Sequence, residues 1–161
     1  MSTIVGASPS TRIDLATWEA DISHRDDAYE LVEGVPTMTP GESALNRAIG
    51  SLLAGRLNLH RDNWVAATDV EVTLAEFPLA TVRLPDVAVL RTSAAALTRG
   101  DESERRVRPA DVLLVAEVVS ASSIERDLVT KRREYAQAGV PTYLIVDLRS
   151  GSGELTLFTS R

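Results

Sequence analysis

The segment Val112-Leu-Leu-Val-Ala-Glu-Val-Val119 is apolar except for Glu117. A run of that length and composition reads as a central strand buried on both faces of a sheet. An ionised carboxylate there is costly unless it is neutralised, paired or bound to a cation. A second acid, Asp86, follows Pro85 within another apolar run carrying Val82, Leu84, Val87 and Val89. Two carboxylates on neighbouring strands repel unless a hard divalent cation sits between them. An all-oxygen ligand set, in a chain with no cysteine and two histidines, suits Mg²⁺ or Mn²⁺. The competing reading of Glu117 is a strand glutamate capped by an arginine or by backbone donors; the second acid favours the cation.

The third group is a lysine. Of the 17 basic residues 16 are arginine, and Lys131 is the sole lysine. Period-2 geometry puts residue 119 on the same face as Glu117; many metal nucleases carry a lysine there to steady an attacking water, and here it is Val119. The helix expected directly after the acid-bearing strand offers a replacement, with Asp127, Lys131 and Tyr135 at i, i+4 and i+8 on one face. A solvated Asp127–Lys131 ion pair, worth about a few tenths of a kcal/mol, is the bland alternative; combined with the two acids, the catalytic reading is preferred.

Several elements must hold these groups. A short helix is expected over 15–24, and the stretch 29–38 reads as two strands joined by a tight turn at Glu33-Gly34, with Pro36 confining the second to a short or edge strand. Gly41-Glu42-Ser43 opens an amphipathic helix whose apolar line is Leu45, Ile49, Leu52, Leu53 and Leu57. Residues 69–74 alternate as a strand with Val70, Val72 and Leu74 on its apolar side, and 81–90 supply another strand containing Pro85-Asp86. Residues 92–110 are polar and irregular, as in a surface loop with a short helical turn. Ser120-Ala-Ser-Ser offers caps for a helix over roughly 124–138, ended by Gly139, and strands follow at 143–147 and 154–159. Asp147 ends its strand in a structural role.

Length and composition bound the rest. The chain has 161 residues, 44% hydrophobic and 25% charged, which fits one globular domain over 1–161 with 1–10 as a flexible arm. At this size folding buries roughly 70% of the surface, so no staple is required. Absence of cysteine excludes disulfides, thiolate zinc sites and cysteine nucleophiles. Residues 1–11 lack a charged start and an apolar core, so no signal peptide and no membrane are expected, and the address is cytoplasmic. The net charge of −6 is the wrong sign for coating nucleic acid with a basic face, so contact with DNA would need a local patch and a metal. His24 and His60 have no partners at ligand spacing, Trp18 and Trp64 read as core, no histidine base accompanies Ser120, Ser122 or Ser123, and no phosphate loop or small-molecule cofactor is indicated.

Five blocks in order resemble the PD-(D/E)XK restriction-endonuclease-like superfamily and, within it, the Uma-two family of restriction endonucleases. They are Tyr-Glu-Leu-Val-Glu-Gly at 29–34, Arg-Leu-Pro-Asp at 83–86, Val-Ala-Glu-Val-Val-Ser at 115–120, Arg-Asp-Leu-Val-Thr-Lys-Arg-Arg-Glu-Tyr-Ala at 126–136, and Gly-Val-Pro-Thr-Tyr-Leu-Ile-Val-Asp at 139–147. The resemblance implies an α+β or α/β restriction-endonuclease-like core, a mixed β-sheet flanked by helices. It implies that Asp86 and Glu117 bind Mg²⁺ or Mn²⁺, with the Val118 carbonyl an extra ligand and Glu30 completing the shell. Lys131 is then the lysine that has moved from strand to helix, oriented by Asp127 and Tyr135. Asn46 departs from the family pattern, in which histidine is frequent, and Ser120-Ala-Ser-Ser replaces Ser-Pro-Ser-Thr.

The expected activity is hydrolysis of DNA phosphodiesters by a homodimer, with Arg126, Arg132, Arg133, Arg105 and Arg106, joined by Arg99 and Arg108, as DNA contacts. The same arginines would serve equally as a solvated, salt-bridged surface. A catalytically silent nuclease-fold module and a hydrolase of smaller phosphoesters are the alternatives.

Overall fold

The computed structural model describes residues 11–22, 28–39, 43–59, 63–91, 107–120 and 123–160. The expected arm at 1–10, His24, His60 and most of the polar loop, including Arg99, Arg105 and Arg106, lie outside the described residues.

Helix α1 (Leu15–Asp21) starts at Asp14, whose side chain accepts a hydrogen bond from the Thr17 amide at 2.8 Å. It delivers Trp18, completely buried, against Leu31, Ala80 and Val82. Strands β1 (Tyr29–Val32) and β2 (Val35–Met38) form the expected hairpin. Its turn residues Glu33 and Gly34 both have positive φ, +48° and +80°, the left-handed geometry that closes a two-residue hairpin. As Pro36 demands, β2 is an edge: β2-β1-β5-β4 is the order of a four-stranded antiparallel sheet built with β4 (Val72–Ala75) and β5 (Thr81–Arg83).

The second sheet has the order β3-β6-β7-β8-β9, from β3 (Val65–Ala67), β6 (Val87–Leu90), β7 (Val112–Val119), β8 (Thr142–Asp147) and β9 (Glu154–Thr159). All pairs are antiparallel except β7 with β8, so the sheet is mixed, with the apolar octapeptide at its centre. One face packs on helix α2 (Ala44–Asn58), the other on the helical segment between β7 and β8. That segment is a π-helix over Arg126–Lys131 continuing as helix α3 (Arg132–Gln137), and it ends at Gly139 with φ +84°. Among the described residues no helix is long and apolar enough to cross a membrane.

Three expectations are corrected. The run 81–90 is two strands in different sheets, because Pro85 has no N–H and the Leu84 amide is spent on Glu30 Oε1 at 3.2 Å, leaving no ladder to continue. The strand expected from residue 69 begins at Val72, since Asp69 adopts φ +56°. On α2 the sheet-facing line is Gly50, Leu53, Ala54 and Leu57, while Leu45 and Leu52 face outward. The small residues decide this by letting the helix approach: a Cβ on Gly50 would stand 3.4 Å from the Asp86 carbonyl oxygen.

Candidate active site

Asp86 and Glu117 come together through strand register. The last paired residues of β6 and β7 are Val87 and Ala116. Beyond that pair stand Asp86, immediately before β6, and Glu117, the next residue of β7. The Asp86 carboxylate accepts the Val118 amide at 2.5 Å, which locks it against the strand. On the other side of the sheet Asn46, in the first turn of α2, donates its Nδ2 to the Val118 carbonyl at 3.3 Å.

Lys131 is not on the surface. It is buried, and its Nζ donates to Glu117 Oε1 at 2.8 Å, with Glu30 Oε1 at 3.2 Å and Asp127 Oδ1 at 3.8 Å. The Tyr135 hydroxyl donates to the same Glu117 oxygen at 3.0 Å. The helix thus brings both donors onto one carboxylate oxygen, as the i, i+4 spacing anticipates. Asp127 is buried too; its backbone carbonyl accepts the Tyr143 hydroxyl at 2.9 Å, while its Oδ1 has no hydrogen-bond partner among the described residues.

Glu30 is 1% exposed, far from a solvated strand residue. Its Oε2 receives Arg83 Nη1 at 2.8 Å, and its Oε1 receives the Leu84 amide and faces Lys131. Arg83 also forks onto Glu134, Nε and Nη2 each donating at 2.8 Å. The sequence reading missed Arg83 and Glu134 as members of this cluster. Their signal was an arginine inside an apolar strand, together with an acid at i+3 from the only lysine.

The electrostatics follow from excess negative charge in a buried place. Burial, reinforced by Asp86, Asp127 and Glu30, pushes the Glu117 carboxyl up to about 8 despite the neighbouring lysine. Burial also opposes the charge on Lys131, but Glu117, Glu30 and Asp127 outweigh it and raise its ammonium above the ordinary range. For Glu30, burial is overcome by Lys131 and Arg83, which hold it below the usual carboxylate value. Burial and the charge of Glu117 keep the Tyr135 phenol protonated well beyond its ordinary range.

A divalent cation fits the donor chemistry. Asp86, at the start of β6, and Glu117 and the Val118 carbonyl, on β7, are hard oxygen donors, both described hydrogen bonds to Glu117 go to Oε1, and the acid cluster is short of positive charge. Among the described residues no three carboxylate or imidazole groups are spaced as a metal cage. The ion would therefore keep part of its water shell, as Mg²⁺ ordinarily does. Glu30 has both oxygens engaged by Arg83, Leu84 and Lys131.

Of the expected DNA contacts, Arg133 is exposed and Arg132, also exposed, lays its guanidinium 4.0 Å from the centre of the Phe158 ring. Arg126 is partly buried beside Asp127, and Arg108 lies 3.5 Å from Glu76 on the surface. Asp147 pairs with Arg149 at 2.6 Å at the end of β8, in keeping with its structural reading.

A family model, Uma2, described as "putative restriction endonuclease", matches residues 14–161. Among solved structures the chain is similar to a putative nuclease belonging to DUF820 from Anabaena variabilis ATCC 29413. Identity is 14% and the TM-score 0.63, with 85% of this chain and 74% of that chain covered, a likeness of fold. No curated protein matches.

Proposed function

The chain belongs to the Uma2 family of putative restriction endonucleases, and from that premise we propose that it is a Mg²⁺- or Mn²⁺-dependent endonuclease hydrolysing DNA phosphodiester bonds. The observation that carries this reading is Lys131 Nζ at 2.8 Å from Glu117, with the Asp86 carboxylate bonded to the amide of the next residue, Val118. Asp86, Glu117 and the Val118 carbonyl would hold the cation, which supplies charge neutralisation at the phosphate and Lewis acidity.

The protein's own groups do the rest. Asp86 is fixed by the Val118 amide, so one wall of the site is rigid before any ligand arrives. Tyr135 and Lys131 together fix Glu117 Oε1 and leave Oε2 turned to other use. The Lys131 ammonium already donates to Glu117 Oε1 and faces Glu30 Oε1. Its part is to donate: it would orient a water or a phosphate oxygen and offset charge building on the oxygens of the pentacoordinate phosphorus. Arg132 and Arg133 lie on the helix carrying that lysine and would meet the phosphate backbone. Cutting both strands calls for two sites, which a two-fold pair of chains would provide.

Calorimetric titration of Mn²⁺ into the wild type and Asp86→Ala, followed by Mg²⁺-dependent cleavage of supercoiled plasmid, tests the reading. Binding lost in Asp86→Ala and cleavage lost in Lys131→Met are expected. No binding by the wild type, with or without DNA, would leave a catalytically silent nuclease-fold module as the answer.

A further inference from the structure

Arg83 sits at the end of β5, in the sheet that does not contain Glu117, and it is 2% exposed. A buried guanidinium brings five N–H donors in one plane and costs free energy unless they are used. Here one edge is spent on Glu30 Oε2 and the other, bidentate, on Glu134. Both partners bear on the same third residue. Glu134 lies on the helix that carries Lys131, three residues on, so gripping it ties the stem of the lysine to β5. Glu30 presents its other oxygen to Lys131 Nζ at 3.2 Å, so gripping it fixes the counter-ion that competes with Glu117 for the ammonium.

We propose that Arg83 is a positioning residue for Lys131, acting through Glu30 and Glu134; this rests on the reading of Lys131 as the charge-offsetting group of a nuclease site. The terminal torsion of a glutamate is soft. What stops Glu30 from turning is three contacts in different directions: the guanidinium, the Leu84 amide and the lysine. Remove the guanidinium and Oε2 loses its only described donor. The carboxylate then turns, and the ammonium follows it or falls back wholly on Glu117. Lysine at position 83 would keep the charge but could not fork onto two carboxylates.

The chain's single lysine makes the test selective. In full-length protein labelled with ¹⁵N-lysine, the one side-chain ammonium resonance belongs to Lys131, and its shift and proton exchange read its surroundings directly. Arg83→Gln is expected to move that resonance, to speed its exchange and to lower kcat by about a hundredfold, the scale of a small misplacement at a reacting centre, with little change in KM. Arg83→Lys, which adds a second lysine and so is read by kcat alone, is expected to lose as much, and Arg83→Gln made on top of Glu30→Gln and Glu134→Gln together should add no further shift. The proposal is overturned if Arg83→Gln leaves the resonance where it was, if Arg83→Lys keeps the wild-type kcat, or if the shift persists undiminished without both Glu30 and Glu134. Should Arg83→Gln fail to fold, Glu134→Gln replaces it; this releases one edge of the guanidinium, and the same resonance decides. A wild type that cleaves nothing sinks the nuclease reading, while the resonance still decides the coupling of Arg83 to Lys131.

Discussion

Replacing Lys131 with methionine keeps most of the side chain's volume and removes its charge from among three carboxylate oxygens at 2.8, 3.2 and 3.8 Å. At an effective dielectric of about 20 the contacts with Glu30 and Asp127 are worth roughly 4–5 kcal/mol each before solvation is counted, and the Glu117 carboxyl, protonated at pH 7, accepts a hydrogen bond from the ammonium instead. The ammonium also gave up several kcal/mol of hydration to be buried, which offsets part of that sum. Removing one partner of a buried pair leaves about 3–5 kcal/mol of net loss. Against a total stability of about 5–15 kcal/mol this is severe but survivable. Urea unfolding in metal-free buffer at pH 7 reads it directly, with the m-value showing that the unfolded state is unchanged. The pH dependence sharpens the test. Glu117 holds its proton up to about 8 in the folded chain, against an ordinary value of 4.5. Between those values the folded state binds a proton that the unfolded state has released. Its contribution is therefore fully present below the lower value and drains away as pH rises towards 8, at up to about 1.4 kcal/mol per pH unit. The variant should lose least near pH 5 and most near pH 8, and Glu117→Gln should flatten the wild-type slope. A loss below about 1 kcal/mol at pH 7, on a scale where broken buried pairs cost several, would refute Lys131 as the ion neutralising this cluster.

Other outcomes follow from the same geometry. Lys131→Met should bind Mn²⁺ more tightly than the wild type while failing to cleave, since it removes a competing positive charge; weaker binding in calorimetry would contradict this. Cation binding at pH 7 should release up to one proton as Glu117 gives up the one it holds, seen as a dependence of the binding enthalpy on buffer ionisation that fades above pH 9. Tyr135→Phe should destabilise by about 1–2 kcal/mol, because it strips one of two donors from a buried carboxylate oxygen, and chemical denaturation checks it.

Much of this site can be read from residue types, and what escapes does so for identifiable reasons. Glu117 stands out because seven apolar neighbours leave it no solvated alternative. Lys131 stands out because it is the only lysine, and the β7–helix connection fixes which face it serves. The Glu33-Gly34 turn carries its own backbone signature. Glu30 is different: in Tyr-Glu-Leu-Val the alternation fits a half-exposed strand, and its burial depends on an arginine 53 positions away and on a helix a hundred residues on. No local pattern encodes a contact of that range. The line of leucines on α2 misleads because helix periodicity reports where apolar residues lie. The approach of Gly50 and Ala54 to the sheet decides which side is used. The π-helical turn over Arg126–Lys131 has no local sequence signal we can identify.

Glu117 resides on the central strand and Asp86 immediately before its neighbour β6, whereas the lysine rides on a separate helical segment docked against that sheet. Undocking that segment would withdraw the ammonium and leave the acids without it, at the cost of exposing Tyr135, which is fully buried in the docked state. The acids would then pull the segment back, so closing is driven by the charges of the cluster itself. A molecule open at this point holds both acids and no lysine, and so is disarmed. The growing polypeptide passes through the same state, since Asp86 and Glu117 are made before Lys131.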